Sequence, residues 1–268
     1  IKKAYGIIGV IMKNLKTKKA FTIIEVMLFL AVSGVLAAGI LATVGGTIGA
    51  QRYRDAVDSF ADFIQGQYDK TVNVQNDTEN HNECGLNADK DRIVVSDSST
   101  VLAGTSRVCM IVGRFISSVD GVNFTARPLY IATENEDQMN KALLSQGDYD
   151  FLQRVADRSA LSATKSALLT TSNTGHSVDN YALGWDTRID ESKTDRIISI
   201  AIVRSPVSGV IHTYFSNKTS VSDTITAGGL NQARLCVDPS GWLTGARLGV
   251  RIDRDAALES SVQVVGEG

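Results

Sequence analysis

FTIIEVMLFLAVSGVLAAGILATVGGTIGAQRYRDAVDSFADFIQGQYDK, residues 21–70, decides how this chain folds. From Val26 to Gln51 it has no charged side chain. About 20 apolar residues in a helix span a bilayer core of roughly 30 Å, so the run is long enough to cross one. A buried core helix of this length without a charge is rare. After Gln51 the pattern changes: Tyr53, Val57, Phe60, Ile64 and Tyr68 recur every three or four residues, with Arg52, Arg54, Asp55, Asp58, Asp62 and Asp69 between them. That spacing gives a helix one apolar face. A single long helix from about Thr22 to about Lys70 is expected, its first half (21–51) in a membrane and its amphipathic continuation (52–70) packed on a folded head.

Outward from this helix, charge is unevenly spread. The 268 residues sum to a net charge of -2, but residues 1–20 hold six lysines and no acid, which leaves 21 basic against 29 acidic side chains, or -8, in the rest. An acidic body is a poor partner for phosphate backbones, so general nucleic-acid binding is not expected. The lysines before the apolar run place that end in the cytoplasm and everything after Arg52 outside, as a single-pass protein of the cytoplasmic membrane. A secretory signal peptide has a shorter apolar stretch, about 7 to 15 residues. Glu25, at the near edge of the run, is the anomaly. An ionised carboxylate at the centre of a membrane helix costs about 2.5 to 3.5 kcal/mol and less near the interface. One reading is that it merely marks the edge of the span.

Residues 18–40, KKAFTIIEVMLFLAVSGVLAAGI, resemble the N-terminal signature of the type IV pilin and pseudopilin family: a basic leader, a small residue, then Phe-Thr-x-Ile-Glu and an apolar helix. Met27, Ala31, Gly34, Leu36, Ala37 and Ala38 fall where that family commonly has the same residues. The resemblance implies that a prepilin peptidase removes the leader, residues 1–20, between Ala20 and Phe21 and that the new Phe21 amine is N-methylated. It also implies that Glu25 sets register in assembly, its carboxylate meeting the Phe21 amine of a neighbouring subunit so that two charges disfavoured by hydrocarbon neutralise each other. Two positions depart from the pattern: Ala20 stands where Gly is usual, and Ala42 where many major pilins have Pro, with Gly45, Gly46 and Gly49 as the alternative source of flexibility.

The remaining residues, 71–268, read as an α+β head with an antiparallel sheet. Thr71–Leu86 has loop composition. Strands are expected at Arg92–Val95, Arg107–Ile116, Leu129–Ala132, Arg196–Arg204, Gly209–Phe215, Ala233–Val237 and Arg247–Ile252, from β-branched enrichment and partial alternation. Glu134–Leu169 has helical spacing, so a helical insertion is expected over about 134–195. Asp238-Pro239-Ser240-Gly241 has turn chemistry between two strands. The amphipathic helix and this late strand-turn-strand are most similar to the H-type minor pseudopilins.

No constellation for catalysis is visible. There is no GxSxG elbow, SxxK, HExxH or Cys-x-x-Cys spacing, and the glycine cluster at 45–49 lies inside the apolar run, where it cannot cradle a phosphate. The chain is therefore not read as an enzyme, and neither a cofactor nor a metal is expected. His81 stands near Glu83 and Asp89 in a polar stretch that reads as a solvated loop. Asn76, Asn123 and Asn217 fit the glycosylation triplet. Outside the cytoplasm thiols oxidise, so Cys84 and Cys109 are the candidate disulfide, with a loop closure worth about 3 kcal/mol. Cys236 is left over, either buried in its strand or pairing between molecules. The expected function is that of a structural subunit, minor because the head is large, in a type IV pilus or secretion-type pseudopilus at the cell surface. Its partners are then the prepilin peptidase, other pilin or pseudopilin subunits and the assembly platform. The alternative is an unprocessed, single-pass membrane-anchored binding or adhesion protein.

Overall fold

The computed structural model describes residues 21–73, 82–86, 88–89, 93–97, 109–133, 152, 156, 166–170, 178–189, 197–206, 208–227, 233–239, 247–253 and 259–266. The chain divides into two units, Ile1–Ile48 and Gly49–Gly268. Helix α1, Ile23–Val72, begins in the first and ends in the second. It runs unbroken through Gly45, Gly46 and Gly49.

In the first unit, nearly every described side chain is exposed, and none of the most apolar 18-residue stretch of α1 is buried. Among the described residues this is one helix long and apolar enough to cross a membrane. Two of its hydroxyls find partners within the helix: Ser33 Oγ donates to the Phe29 carbonyl at 2.7 Å and Thr47 Oγ1 to that of Val44 at 2.9 Å. In hydrocarbon such internal bonding removes the cost of an unpaired donor.

Among the described residues, the second unit has three antiparallel sheets. The hairpin β1 (Asn82–Leu86) and β2 (Ile93–Asp97) pairs on its own. A six-stranded sheet has the order β5-β4-β3-β8-β9, with β6 also on β4; the strands are β3 (Cys109–Ser118), β4 (Asn123–Thr133), β5 (Ser166–Thr170), β6 (Asp179–Ala182), β8 (Ile198–Arg204) and β9 (Ile211–Ser216). A four-stranded sheet has the order β12-β11-β10-β7, from β7 (Arg188–Ile189), β10 (Ala233–Asp238), β11 (Leu248–Ile252) and β12 (Val262–Gly266). Helix α2 (Val221–Ala227) follows β9.

Side-chain alternation divides the core. On β8, Ile198, Ile200 and Ile202 join a cluster with Tyr53, Val57, Phe60, Ile64 and Tyr68 of α1, while Ala201 and Val203 turn to a second cluster with Leu152, Ala156 and Ile225. A strand covered on both faces reads as a nearly continuous apolar run, as ISIAIV does with Ser199 the one exception. The first cluster also takes in Leu235, Val237, Val250 and Ile252, so the apolar stripe of α1 serves both sheets. Phe60 lies at its centre, fully buried, with its ring centroid 4.8 Å from that of Phe124. Gly113 is fixed by close approach. At the register shift between Ile111 and Gly113, an added Cβ would stand 1.9 Å from the Ile202 carbonyl oxygen.

All seven expected strands are present. Two expectations need correction. The stretch Thr71–Leu86 is not wholly loop, because α1 runs through Val72 and Asn82–Leu86 is a strand whose ladder bonds come from backbone rather than from its polar side chains. The helical insertion at about 134–195 is cut short. Leu152 and Ala156 are helical, but β5, β6 and β7 all fall within those limits. A short apolar run such as SALLT has no period that separates helix from strand, and pairing with Leu129–Thr133 decides it.

Phe60→Ala is expected to lower unfolding stability by about 3 to 5 kcal/mol, as for a large buried ring replaced by a cavity. Asp58→Ala, on the exposed face, should stay within about 0.5 kcal/mol. Urea unfolding of the full chain in detergent micelles reads both.

Candidate functional site

The start of α1 has the residue spacing of a capping box, Thr22-Ile23-Ile24-Glu25, with its N-cap bond made. Thr22 Oγ1 accepts the Glu25 backbone N–H at 3.2 Å, and the Thr22 carbonyl accepts that of Val26 at 3.2 Å. Threonine followed three residues later by glutamate is a recognised helix start, and a carboxylate in the first turn suits the positive end of the helix dipole. The motif is legible in the sequence but was not among the features singled out there; it adds a local role for Thr22 and Glu25. Phe21 is 78% exposed and the Glu25 side chain is exposed as well. Ala20 lies outside the described residues. Glu25 is the one ionisable side chain between Lys19 and Arg52, so its carboxylate has no counter-charge within the apolar run itself.

At its other end α1 closes on an ion cluster that sequence reading missed. Arg114, in the middle of β3 and only 6% exposed in its side chain, donates from Nη2 to Asp179 Oδ2 at 2.5 Å and to the Ala126 carbonyl at 3.3 Å, and from Nε to Gln67 Oε1 at 2.9 Å. Lys70 Nζ reaches both Asp179 oxygens, at 2.8 and 2.7 Å. Burial pushes the Asp179 carboxyl up, but the Lys70 hydrogen bond, the Arg114 and Lys70 charges and a Gln67 hydrogen bond outweigh it and hold it below the ordinary carboxylate range. For Arg114, burial dominates and lowers its pKa, partly offset by Asp179. The only sequence signal was a charge inside an apolar strand, CMIVGRFISS.

Asp120 makes a second, local anchor. Oδ1 accepts the backbone N–H groups of Val122 and Asn123 at 2.9 and 2.8 Å, and Oδ2 accepts Asn123 Nδ2 at 2.7 Å. Slight burial raises its pKa, and these bonds more than reverse that, bringing it to about 2. The Asn123 amide, part of a glycosylation triplet, is thus engaged in the β3–β4 turn, where Gly121 adopts φ 70°.

Backbone pairing puts Cys84 opposite Val95 and Cys109 opposite Ala132, in different sheets; their side chains lie outside the described residues. Cys236 is half-buried on β10 opposite Gly249. His81, His176 and Asn76 lie outside the described residues, as do Ser240 and Gly241 of the expected turn. The hairpin around it is present, pairing Val237 with Leu248. Among the described residues, no group of three His, Cys, Asp or Glu side chains could hold a metal ion.

Comparisons with protein-family models, with curated proteins and with solved structures find no match.

A carboxyl held below its unfolded value stabilises the fold fully above that value, and the contribution is lost as pH falls toward the folded one. Both Asp179 and Asp120 act this way, so stability should fall steadily from about pH 4 downward. Asp179→Asn is expected to flatten this acid limb and to cost about 3 kcal/mol at neutral pH, because Arg114 is left buried without its counter-charge. Urea midpoints of the full chain across this range check both.

Proposed function

We propose that the chain is a subunit, and a minor one, of a type IV pilus or secretion-type pseudopilus, matured between Ala20 and Phe21 and assembled through α1. The observation that carries this reading is the division of one continuous helix. Up to Ile48 it is apolar and exposed, and from Tyr53 to Tyr68 the same helix is locked into the head core. A helix that is hydrophobic all round needs a lipid or helical environment to cover it. A lone anchor meets that need with lipid. A filament subunit meets it first with lipid and then with the helices of other subunits.

Glu25 separates these two roles. For an anchor the carboxylate at the start of its span serves only the positive end of the helix dipole, whereas an assembling helix can also pair it with a neighbour's amine, which fixes axial register. The exposed Phe21, one turn ahead of Glu25, would carry that amine after cleavage. In this reading the peptidase acts at the cytoplasmic membrane face, the head lies outside the cytoplasm, and the chain performs packing rather than turnover.

Mass spectrometry of protein sheared from the cell surface should find a methylated N-terminus at Phe21. An intact Ala20–Phe21 junction in that population would overturn the proposal and leave a simple anchor. Glu25→Ala should leave membrane insertion unchanged while reducing recovery in filaments by more than about tenfold, the equivalent of roughly 1.4 kcal/mol per subunit.

A further inference from the structure

Among the described residues the exposed aromatic side chains are Phe21, just ahead of α1, Phe29, in the apolar run, and Trp185, far away in sequence and 57% exposed. Trp185 occupies the turn Gly184–Thr187 between β6 and β7, in which the Thr187 N–H donates to the Gly184 carbonyl at 3.2 Å. Trp185 and Asp186 have φ of 59° and 55°. Two successive residues in the left-handed region call for Gly, Asn or Asp, and a bulky aromatic there is an outlier. Neither backbone preference nor core packing accounts for a tryptophan at this position.

Among the described residues its ring contact is with Arg52, whose guanidinium carbon lies 4.6 Å from the indole centroid. Arg52 is the first charged residue after the charge-free run Val26–Gln51. That run is about 39 Å long as a helix, more than the roughly 30 Å hydrocarbon core and close to the thickness that includes headgroups. If it crosses a membrane, its charged C-terminal neighbour emerges among the headgroups, and whatever is stacked on Arg52 emerges with it. Tryptophan and arginine are the side chains suited to this depth: the indole has an apolar body and one N–H, and the guanidinium can pair with phosphate while its stem stays in apolar surroundings.

We propose that Trp185 and Arg52 form a membrane-surface contact, the indole seated at headgroup depth and the guanidinium on a lipid phosphate. This rests on the reading of the first part of α1 as membrane-inserted. The strained turn then presents the ring outward, away from the core that Leu183 and Ile189 enter on either side of it. Lipid is the occupant favoured over a second protein because the site continues directly from the apolar run and joins an amphipathic ring to a cation.

The chain has two tryptophans, so Trp242→Phe leaves Trp185 as the only indole. The full-length variant is reconstituted into phosphatidylcholine–phosphatidylglycerol vesicles, checked by flotation, and its emission read with lipids brominated near the headgroup or near the chain end. Headgroup-proximal bromines should quench the emission by roughly half and deep bromines much less, and Arg52→Gln should weaken the shallow quenching. The reciprocal variant Trp185→Phe should lose that shallow quenching, which keeps the test valid if Trp242→Phe does not fold. Flotation with emission that neither lipid quenches overturns this inference alone, and so does a blue-shifted but unquenched emission, which would mean that protein covers the ring. Failure to float overturns the membrane reading and this inference together.

Discussion

The contact on which the head depends is that of five α1 side chains, Tyr53, Val57, Phe60, Ile64 and Tyr68, with the inner faces of two sheets. Their rings and branches fill the space between Ile198, Ile200 and Ile202 on one sheet and Leu235, Val237, Val250 and Ile252 on the other. The stripe is pinned at both ends by phenols. Tyr53 Oη donates to the Val237 carbonyl at 2.7 Å and accepts the Leu248 N–H at 2.6 Å, tying the helix to β10 and β11. Tyr68 Oη is bonded to Thr213 Oγ1 at 2.7 Å, tying it to β9, and burial pushes this phenol well above its ordinary range despite that bond. Buried hydroxyls are tolerable only when paired, so each phenol also fixes the angle at which its end of the stripe enters the core.

This gives α1 two incompatible surface requirements along one axis. Before Ile48 the helix has apolar residues on all sides, with Ser33 and Thr47 bonded to its own carbonyls; from Arg52 onward apolar residues keep to one face and charged and polar residues occupy the rest. The change takes place within one turn, between Gln51 and Arg54. Helix stability itself does not require such a division, since Ala, Leu and Glu serve equally well on any face. Solvent does: one part is suited to lipid or other helices and the other to a water-facing domain. The last turn is closed in the manner of a soluble helix, with Lys70 near the negative end of the dipole and Arg204 Nη1 donating to the Val72 carbonyl at 3.1 Å.

How much of this could be read from the sequence follows from the range of the interactions. The helix, its membrane-like half, its stripe and seven strands were legible because each is written in periods of two or about 3.6 residues. Strands β6 and β12 were not among those read. β5 has the apolar content of a helix and becomes a strand only through β4. The capping box at Thr22 and Glu25 was legible from spacing alone. The ion cluster was not: Lys70 and Asp179 are 109 positions apart, and Arg114 and Asp179 are 65 apart. A lone arginine in an apolar strand announces that some acid must meet it, but not which of 29.

The segment 179–189 explains why so many distant residues converge. It runs antiparallel to α1 and meets the helix in descending order. Asp179 meets Lys70, Tyr181 stacks on Phe63 at 4.8 Å, and Trp185 meets Arg52. Its backbone is held to the β3–β4 turn between the last two contacts and beyond them, the Leu183 N–H donating to the Val122 carbonyl and the Ile189 N–H to that of Gly121, each at 2.9 Å. The same segment leaves the six-stranded sheet as β6 and enters the four-stranded sheet as β7, so a single strap fastens both sheets to the helix. An extended chain advances about 3.3 Å per residue and a helix 1.5 Å, so the strand from Asp179 to Tyr181 covers about 7 Å against about 10 Å for the helical positions from Lys70 to Phe63. The two lengths are close enough that these side chains, reaching along as well as across, can hold the register. Shortening the turn to relieve Trp185 would draw it off Arg52, which is why the strained tryptophan is best understood as the end of a strap whose other end is fixed by a buried charge.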